Sequence, residues 1–185
     1  MIHNRIRCGR FFAQIPNWQD KQFCACGQVE SIEHILLECE ESEQTETWKE
    51  VKRVWKCLTD SELKDISIED IMAIGSIRIK DKTSGKKDLT SEVLRTLVTT
   101  AVWSIWKNRN IRIFKDKRET KELQVQLWKA ELSREIEMEY EAIQQGNIRK
   151  RDKLTQRFQT KWTNDLELIR VEVNSKGKRR LRIEL

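Results

Sequence analysis

Three of the five cysteines and one of the two histidines fall in sixteen consecutive positions, CACGQVESIEHILLEC, from Cys24 to Cys39. No other feature restricts the fold as much. The spacing is Cys24-x-Cys26-x7-His34-x4-Cys39, and three thiolates with one imidazole are a tetrahedral donor set for zinc. Two cysteines one residue apart can face one metal only from a bend, because side chains at i and i+2 of a helix diverge. Gly27, directly after the pair, allows the tight backbone this requires. His34 and Cys39 are expected from a short helix and its end. Five residues advance a regular helix by about 140° beyond a full turn, so one ligand must sit where the helix frays or starts. Four protein ligands leave no open coordination position, so the zinc is expected to be structural, its binding energy acting as folding energy. The competing reading is a set of buried thiols beside a surface histidine. Cys8 and Cys57 read as small core residues.

Composition fits a metal-stapled chain. Of 185 residues, 38% are apolar and 36% charged, with a mean hydropathy of −0.70; such a chain builds a thin core. Seven Trp and five Phe keep it out of the disordered class. One Pro and six Gly leave few breakers, which favours long helices. The fold class expected is mostly α: a small CCHC zinc-knuckle-like module over 1–42, packed amphipathic helices over 43–146, and a basic helix and C-terminal arm over 147–185. Ser31 is placed to cap the helix holding His34. Trp48, Val51, Val54, Trp55 and Leu58 recur at helical spacing. Ser67 and Gly75 bracket a short helix. After a loop over 76–88, Thr90 or Ser91 can cap a helix with Leu94, Leu97, Val98, Ala101, Val102, Ile105 and Trp106 on its apolar face. A second long helix covers 119–145, with Leu123, Leu127, Ala130, Leu132, Ile136 and Tyr140 on a looser stripe, and Gly146-Asn147 ends it. The alternation in IRVEVNSKGKRRLRIEL predicts a short hairpin with a four-residue turn at Asn174–Gly177.

The net charge is +6, and from Arg149 to Leu185 twelve Lys and Arg face five Asp and Glu, a local excess of +7. A basic arm suits a polyanion, nucleic acid above all. Beside the cysteine cluster, Arg5, Arg7, Arg10 and Lys21 are candidate contacts, with Trp18 open to stacking on unpaired bases and Phe11 and Phe12 read as a miniature core. Arg109 and Arg112 could reach phosphate from the polar end of their helix, whose Trp103 and Trp106 read as core. Lys178, Arg179 and Arg180 belong to the run GKRRLR, which also has the look of a nuclear localisation signal. Phosphate contacts give affinity with little sequence preference, and no helix reads as designed for base edges in a duplex groove, so single-stranded or structured RNA or DNA is the expected partner. No phosphate loop or nucleophile elbow is present, His3 is the only other histidine, and the carboxylates lie on charged helix faces; no enzymatic activity is expected. A residual nuclease would need carboxylates gathered on a second metal. No apolar run approaches the roughly 20 residues of a membrane span, and no signal peptide precedes the odd set of cysteines, so an intracellular, reduced chain is expected.

The phrases Cys-Gly, Glu-Ser-Ile-Glu-His-Ile-Leu and the closing Glu-Cys resemble the zinc-binding segment of non-LTR (LINE-type) retrotransposon polyproteins. RIRCGRFFAQIPN upstream resembles the approach segment of fungal members, and VWSIWKNRNIRIF downstream the Trp-rich helix that follows the module. The resemblance spans about residues 4 to 115. It implies that Cys24, Cys26, His34 and Cys39 bind zinc, and that the chain handles nucleic acid beside a reverse transcriptase and RNase H region of a longer polyprotein, in the nucleus. Neither the polymerase core nor the acidic strands of RNase H occur here. The alternative function is a structural or protein-interaction helical module in which zinc only staples the fold.

Overall fold

The computed structural model describes residues 7–39, 44–79, 89–162, 169–173 and 179–185. Its elements are α1 (Arg10–Ala13), a 3-10 turn (Gln19–Gln22), a π turn (His34–Glu38), α2 (Gln44–Thr59), α3 (Ile68–Met72), α4 (Leu89–Lys115), α5 (Lys121–Gln145), α6 (Ile148–Trp162), β1 (Ile169–Val173) and β2 (Arg179–Ile183). The chain is mostly helical, with a Cys/His cluster near its N-terminus followed by packed helices.

The axis of the molecule is α4, about 40 Å long at 1.5 Å per residue. It packs against the π turn, α2, α5 and α6, while α5 also meets α2, α6 and β2. Val51, Val54 and Trp55 of α2 join Leu94, Leu97, Val98, Ala101 and Ile105 of α4 in the buried core. Ile35 and Leu36 of the π turn belong to the same cluster, so the cysteine segment and the helices share one core. The antiparallel hairpin pairs Ile169 with Ile183 and Val173 with Arg179. The predicted turn at Asn174–Gly177 lies outside the described residues.

Several caps follow from sequence. Ser67 and Asp70 form a reciprocal capping box on α3, and Thr120 accepts the Leu123 N–H at the start of α5. Gly146 caps the end of α5. The stop of α3 comes earlier than Gly75, at Ala73. Thr90 and Ser91 do not cap α4. Both lie inside its first turn, where buried Ser91 accepts the Ile79 N–H at 2.6 Å.

The apolar face of α5 is also corrected. Leu123, Leu127 and Ala130 are exposed, and the buried stripe runs Gln124, Trp128, Leu132, Ile136 and Tyr140 at strict four-residue spacing. The α4–α5 seam is partly polar. Gln124 donates to the Ser104 hydroxyl at 3.1 Å, the Trp128 indole to the Thr100 hydroxyl at 3.1 Å, and Lys107 to Glu131 at 2.7 Å. The predicted Leu132, Ile136 and Tyr140 lie on the buried face, whereas placing Leu123 and Leu127 on it misses by one position, about 100°. Trp103 on α4 is likewise a correction: it is 49% exposed rather than core, its ring lying under Lys107. In the α5–α6 seam the rings of Tyr140 and Phe158 meet at a tilt, centroids 5.2 Å apart, and the Trp162 indole donates to Glu139 at 2.9 Å.

Candidate metal centre

The four donors come from two short devices. The first is a tight hairpin. Phe23 and Val29 form a β-bridge, the Cys24 N–H donates to Gln28 O at 2.8 Å, and the Gly27 N–H donates to Cys24 O at 2.9 Å. Gly27 takes φ 84°, a left-handed conformation that side chains disfavour. The bend turns the side chains of Cys24 and Cys26 to one side, which no helix could do.

The second device resolves the His-x4-Cys spacing. Ser31 accepts the His34 N–H at 2.9 Å and starts the turn. The segment His34–Glu38 is then wound as a π turn, and the Cys39 N–H reaches back to His34 O at 3.0 Å. An i→i+5 bond closes one turn over the full spacing between the ligands, where an α-turn would close over four. Cys39 leaves the turn in extended conformation. Helix ends leave carbonyls without partners; here α2 supplies donors, Gln44 to Cys39 O at 2.5 Å and the Trp48 indole to Leu36 O at 2.7 Å.

One ligand atom from each of Cys24, Cys26, His34 and Cys39 lies within 4.8 Å of all the others. Cys24 and Cys39 Sγ are 3.4 Å apart, as are Cys26 Sγ and His34 Nε2. A tetrahedron with Zn–S of about 2.3 Å has edges of about 3.8 Å, so the residues fit a small tetrahedral cation. All four donors are soft or borderline, so the cluster suits a soft or borderline metal ion rather than a hard, oxygen-seeking one. Cys24, His34 and Cys39 are buried and Cys26 is exposed, so the cluster is covered on the protein side and open beside Cys26. The Gln28 backbone N–H lowers the Cys26 thiol below its ordinary pKa, which favours the thiolate that a metal needs. Among the described residues no other group of Cys, His, Asp and Glu donors converges in this way. Cys8 and Cys57 are half-buried and stand apart from it; burial pushes the Cys8 thiol up.

A buried ion pair ties this loop to α4. Glu30 receives Arg109 through Nε at 2.9 Å and also through Nη2. The side chains are 0% and 2% exposed. The Arg109 guanidinium lies between the rings of Phe12 and Trp106, 5.6 and 5.2 Å from their centroids. Arg112 stands 3.9 Å from the other Glu30 oxygen and 3.9 Å from Cys24 Sγ. Arg109 is therefore a correction to the phosphate-contact reading. Its charge is spent inside the protein, and Arg112, with 12% of its side chain exposed, is nearly as enclosed. Nothing in the sequence singles out Glu30 from its acidic neighbours, so the pair was not legible there.

The other predicted contacts divide. Arg7 and Arg10 are exposed, and Lys21 is half-buried with its ammonium donating to Ile113 O at 2.8 Å. Trp18 is 39% and Phe11 44% exposed, whereas Phe12 is buried; of the two phenylalanines only Phe12 is core. Arg5 and Lys178 lie outside the described residues, and Arg179 and Arg180 sit on β2, on the far side of the sequence from the metal loop. Among the described residues no helix is long and apolar enough to cross a membrane. Compared with known proteins, the chain matches no family model, no curated protein and no solved structure.

Proposed function

We propose that this chain is a zinc-stabilised, non-enzymatic nucleic-acid-binding segment of LINE-type retrotransposon origin, in which the zinc fixes the loop and a surface beside it holds single-stranded or structured RNA or DNA. One observation carries the reading: an exposed cluster of rings edged by cations next to the metal loop. Phe11, Trp18 and Phe114 are 44%, 39% and 49% exposed. They are joined through buried Phe12, with Phe11–Phe12 centroids at 5.4 Å, Phe12–Trp18 at 5.8 Å and Trp18–Phe114 at 5.6 Å. Arg7 lies 5.6 Å from the Phe11 ring and Lys21 6.0 Å from the Trp18 ring, and Arg10 is exposed on α1. Exposed rings among cations are the recurring means of holding single strands, bases stacking on the rings and phosphates meeting the cations. The reading carries with it a nuclear location, for which GKRRLR is the sequence feature, and proximity to a polymerase or RNase H region.

The test is fluorescence anisotropy with a labelled single-stranded 15-mer across a salt series. Three phosphate contacts, from Arg7, Arg10 and Lys21, predict a log–log salt slope of about −2. Trp18→Ala or Phe114→Ala should weaken binding by about fivefold or more. No binding at low salt by the zinc-loaded chain refutes the reading.

A second reading, a protein-interaction module, is favoured by one observation. An apolar groove of about 610 Å³ runs between the π turn, α3 and α4, lined by Leu36, Ile71, Val98, Val102, Trp103 and Trp106. Absent or salt-independent oligonucleotide binding would bring this reading forward.

A further inference from the structure

A second cleft, of about 440 Å³, opens where the metal loop meets the end of α4. Asp20, Lys21, Phe23, Arg112, Asp116 and Arg118 line it, and Ala25, between the first two metal ligands, forms part of its floor. We propose that this cleft takes one unpaired nucleotide whose base carries an exocyclic amino group, cytosine being the smallest; this rests on the nucleic-acid reading above.

The lining sets what can enter. A simple anion meets two carboxylates, a simple cation meets three cationic side chains, and an apolar molecule meets polar walls. A nucleotide presents a flat ring, a negative phosphate and hydrogen-bond donors at separate points, and each has a counterpart here. Phe23 lines the cleft, is 44% exposed and has its backbone fixed by the bridge to Val29, so its ring offers a stacking surface there. The Lys21 ammonium is held at the α4 end by one hydrogen bond to Ile113 O, which leaves two of its three donors for phosphate. Arg118 is exposed in the link to α5 and supplies a second phosphate contact. Arg112 faces inward to Glu30 and Cys24 and closes the back wall.

The carboxylates select the base. The carboxylate oxygens of Asp20 and Asp116 are hydrogen-bond acceptors. The cytosine amino group donates to such an oxygen, whereas thymine and uracil present a carbonyl at the same place and are repelled. Asp116 takes a left-handed backbone, φ 48°, directly after α4, and this turns the chain so that Asp116 and Arg118 both reach the cleft. Asp and Asn tolerate that conformation, which allows a clean exchange.

The experiment compares labelled dC and dT 12-mers by anisotropy at one salt concentration, on the zinc-loaded full chain. Wild type should bind dC about fivefold or more tightly than dT. The double variant Asp20→Asn with Asp116→Asn, which keeps size and backbone, should lose that preference. Phe23→Ala should weaken both oligonucleotides by about fivefold or more. Arg118→Gln should weaken both and flatten the salt dependence by roughly 0.7 in slope. Equal binding of dC and dT by wild type, or a preference that survives the double Asn variant, overturns the cleft assignment. Salt-dependent binding that responds to Trp18→Ala but not to Phe23→Ala overturns it while leaving the broader reading standing. No binding of either oligonucleotide overturns both.

Discussion

Glu30→Gln isolates the tie between the metal loop and α4. The substitution preserves shape and removes one charge at a place where both side chains are essentially without water. Arg109 then keeps its bond to Asn110 Oδ1 at 3.1 Å and its stacking between Phe12 and Trp106, and the amide oxygen can still accept one guanidinium proton. What disappears is the compensation of a buried positive charge. Breaking such a pair from one side costs about 3–5 kcal/mol, and the retained hydrogen bonds place Glu30→Gln near the lower figure. For a chain of this size each kcal/mol moves the melting midpoint by about 2–4 °C, so a fall of roughly 6–12 °C is expected. The assay is thermal unfolding of the zinc-loaded protein followed by helical circular dichroism. Glu30→Met combined with Arg109→Met should recover most of the loss, because replacing both charges with apolar groups of similar volume is often neutral or stabilising. A Glu30→Gln midpoint within about 2 °C of wild type would refute the reasoning, since the pair would then behave as a surface contact worth under about 1 kcal/mol. Additive losses in the double variant would do the same.

Purified chain should contain one zinc per molecule; His34→Ala with Cys39→Ser should lose it together with helical signal, and a folded wild type free of zinc counts against the site. Gly9→Ala should cost at least about 2 kcal/mol, read from urea denaturation, because Gly9 has φ 50° and an added Cβ would fall 1.9 Å from Glu30 O. Burial tends to raise the Glu131 carboxyl, but hydrogen bonds from Lys107 and Arg134 outweigh it and hold the pKa below the ordinary value. The stability it contributes is therefore present above the unfolded carboxylate pKa and lost as pH falls through the lower folded one, and Glu131→Gln should flatten the acid limb of a stability–pH curve.

Residue type and spacing made the metal cluster legible, because four soft donors in one short window are rare in so cysteine-poor a chain. The helices around it were legible wherever a face was purely apolar, as at Val51, Val54 and Trp55. They were misread where the seam carries hydrogen bonds: Gln124 and Trp128 are buried because Ser104 and Thr100 wait opposite them, and one-dimensional periodicity cannot see an opposite partner. Arg109 fails for the same reason. Its burial depends on Glu30, 79 positions away, and on two rings from different segments. The π turn was half visible, as a spacing that no regular helix accommodates.

That turn has a consequence for insertions and deletions. His34 and Cys39 meet in the donor cluster while Ile35 and Leu36, between them, belong to the core. Deleting one of the four intervening residues would give a spacing that an ordinary α-turn closes, so the two ligands could still meet. The chain after the deletion would, however, be rotated by about 100°, and Gln44 and Trp48 would no longer face the carbonyls they now serve. The extra residue works as a phase shifter: it lets one short segment answer to two partners, a metal and a helix bundle, whose directions a regular helix could not satisfy together. A shortened variant would keep its donors and lose its place in the fold.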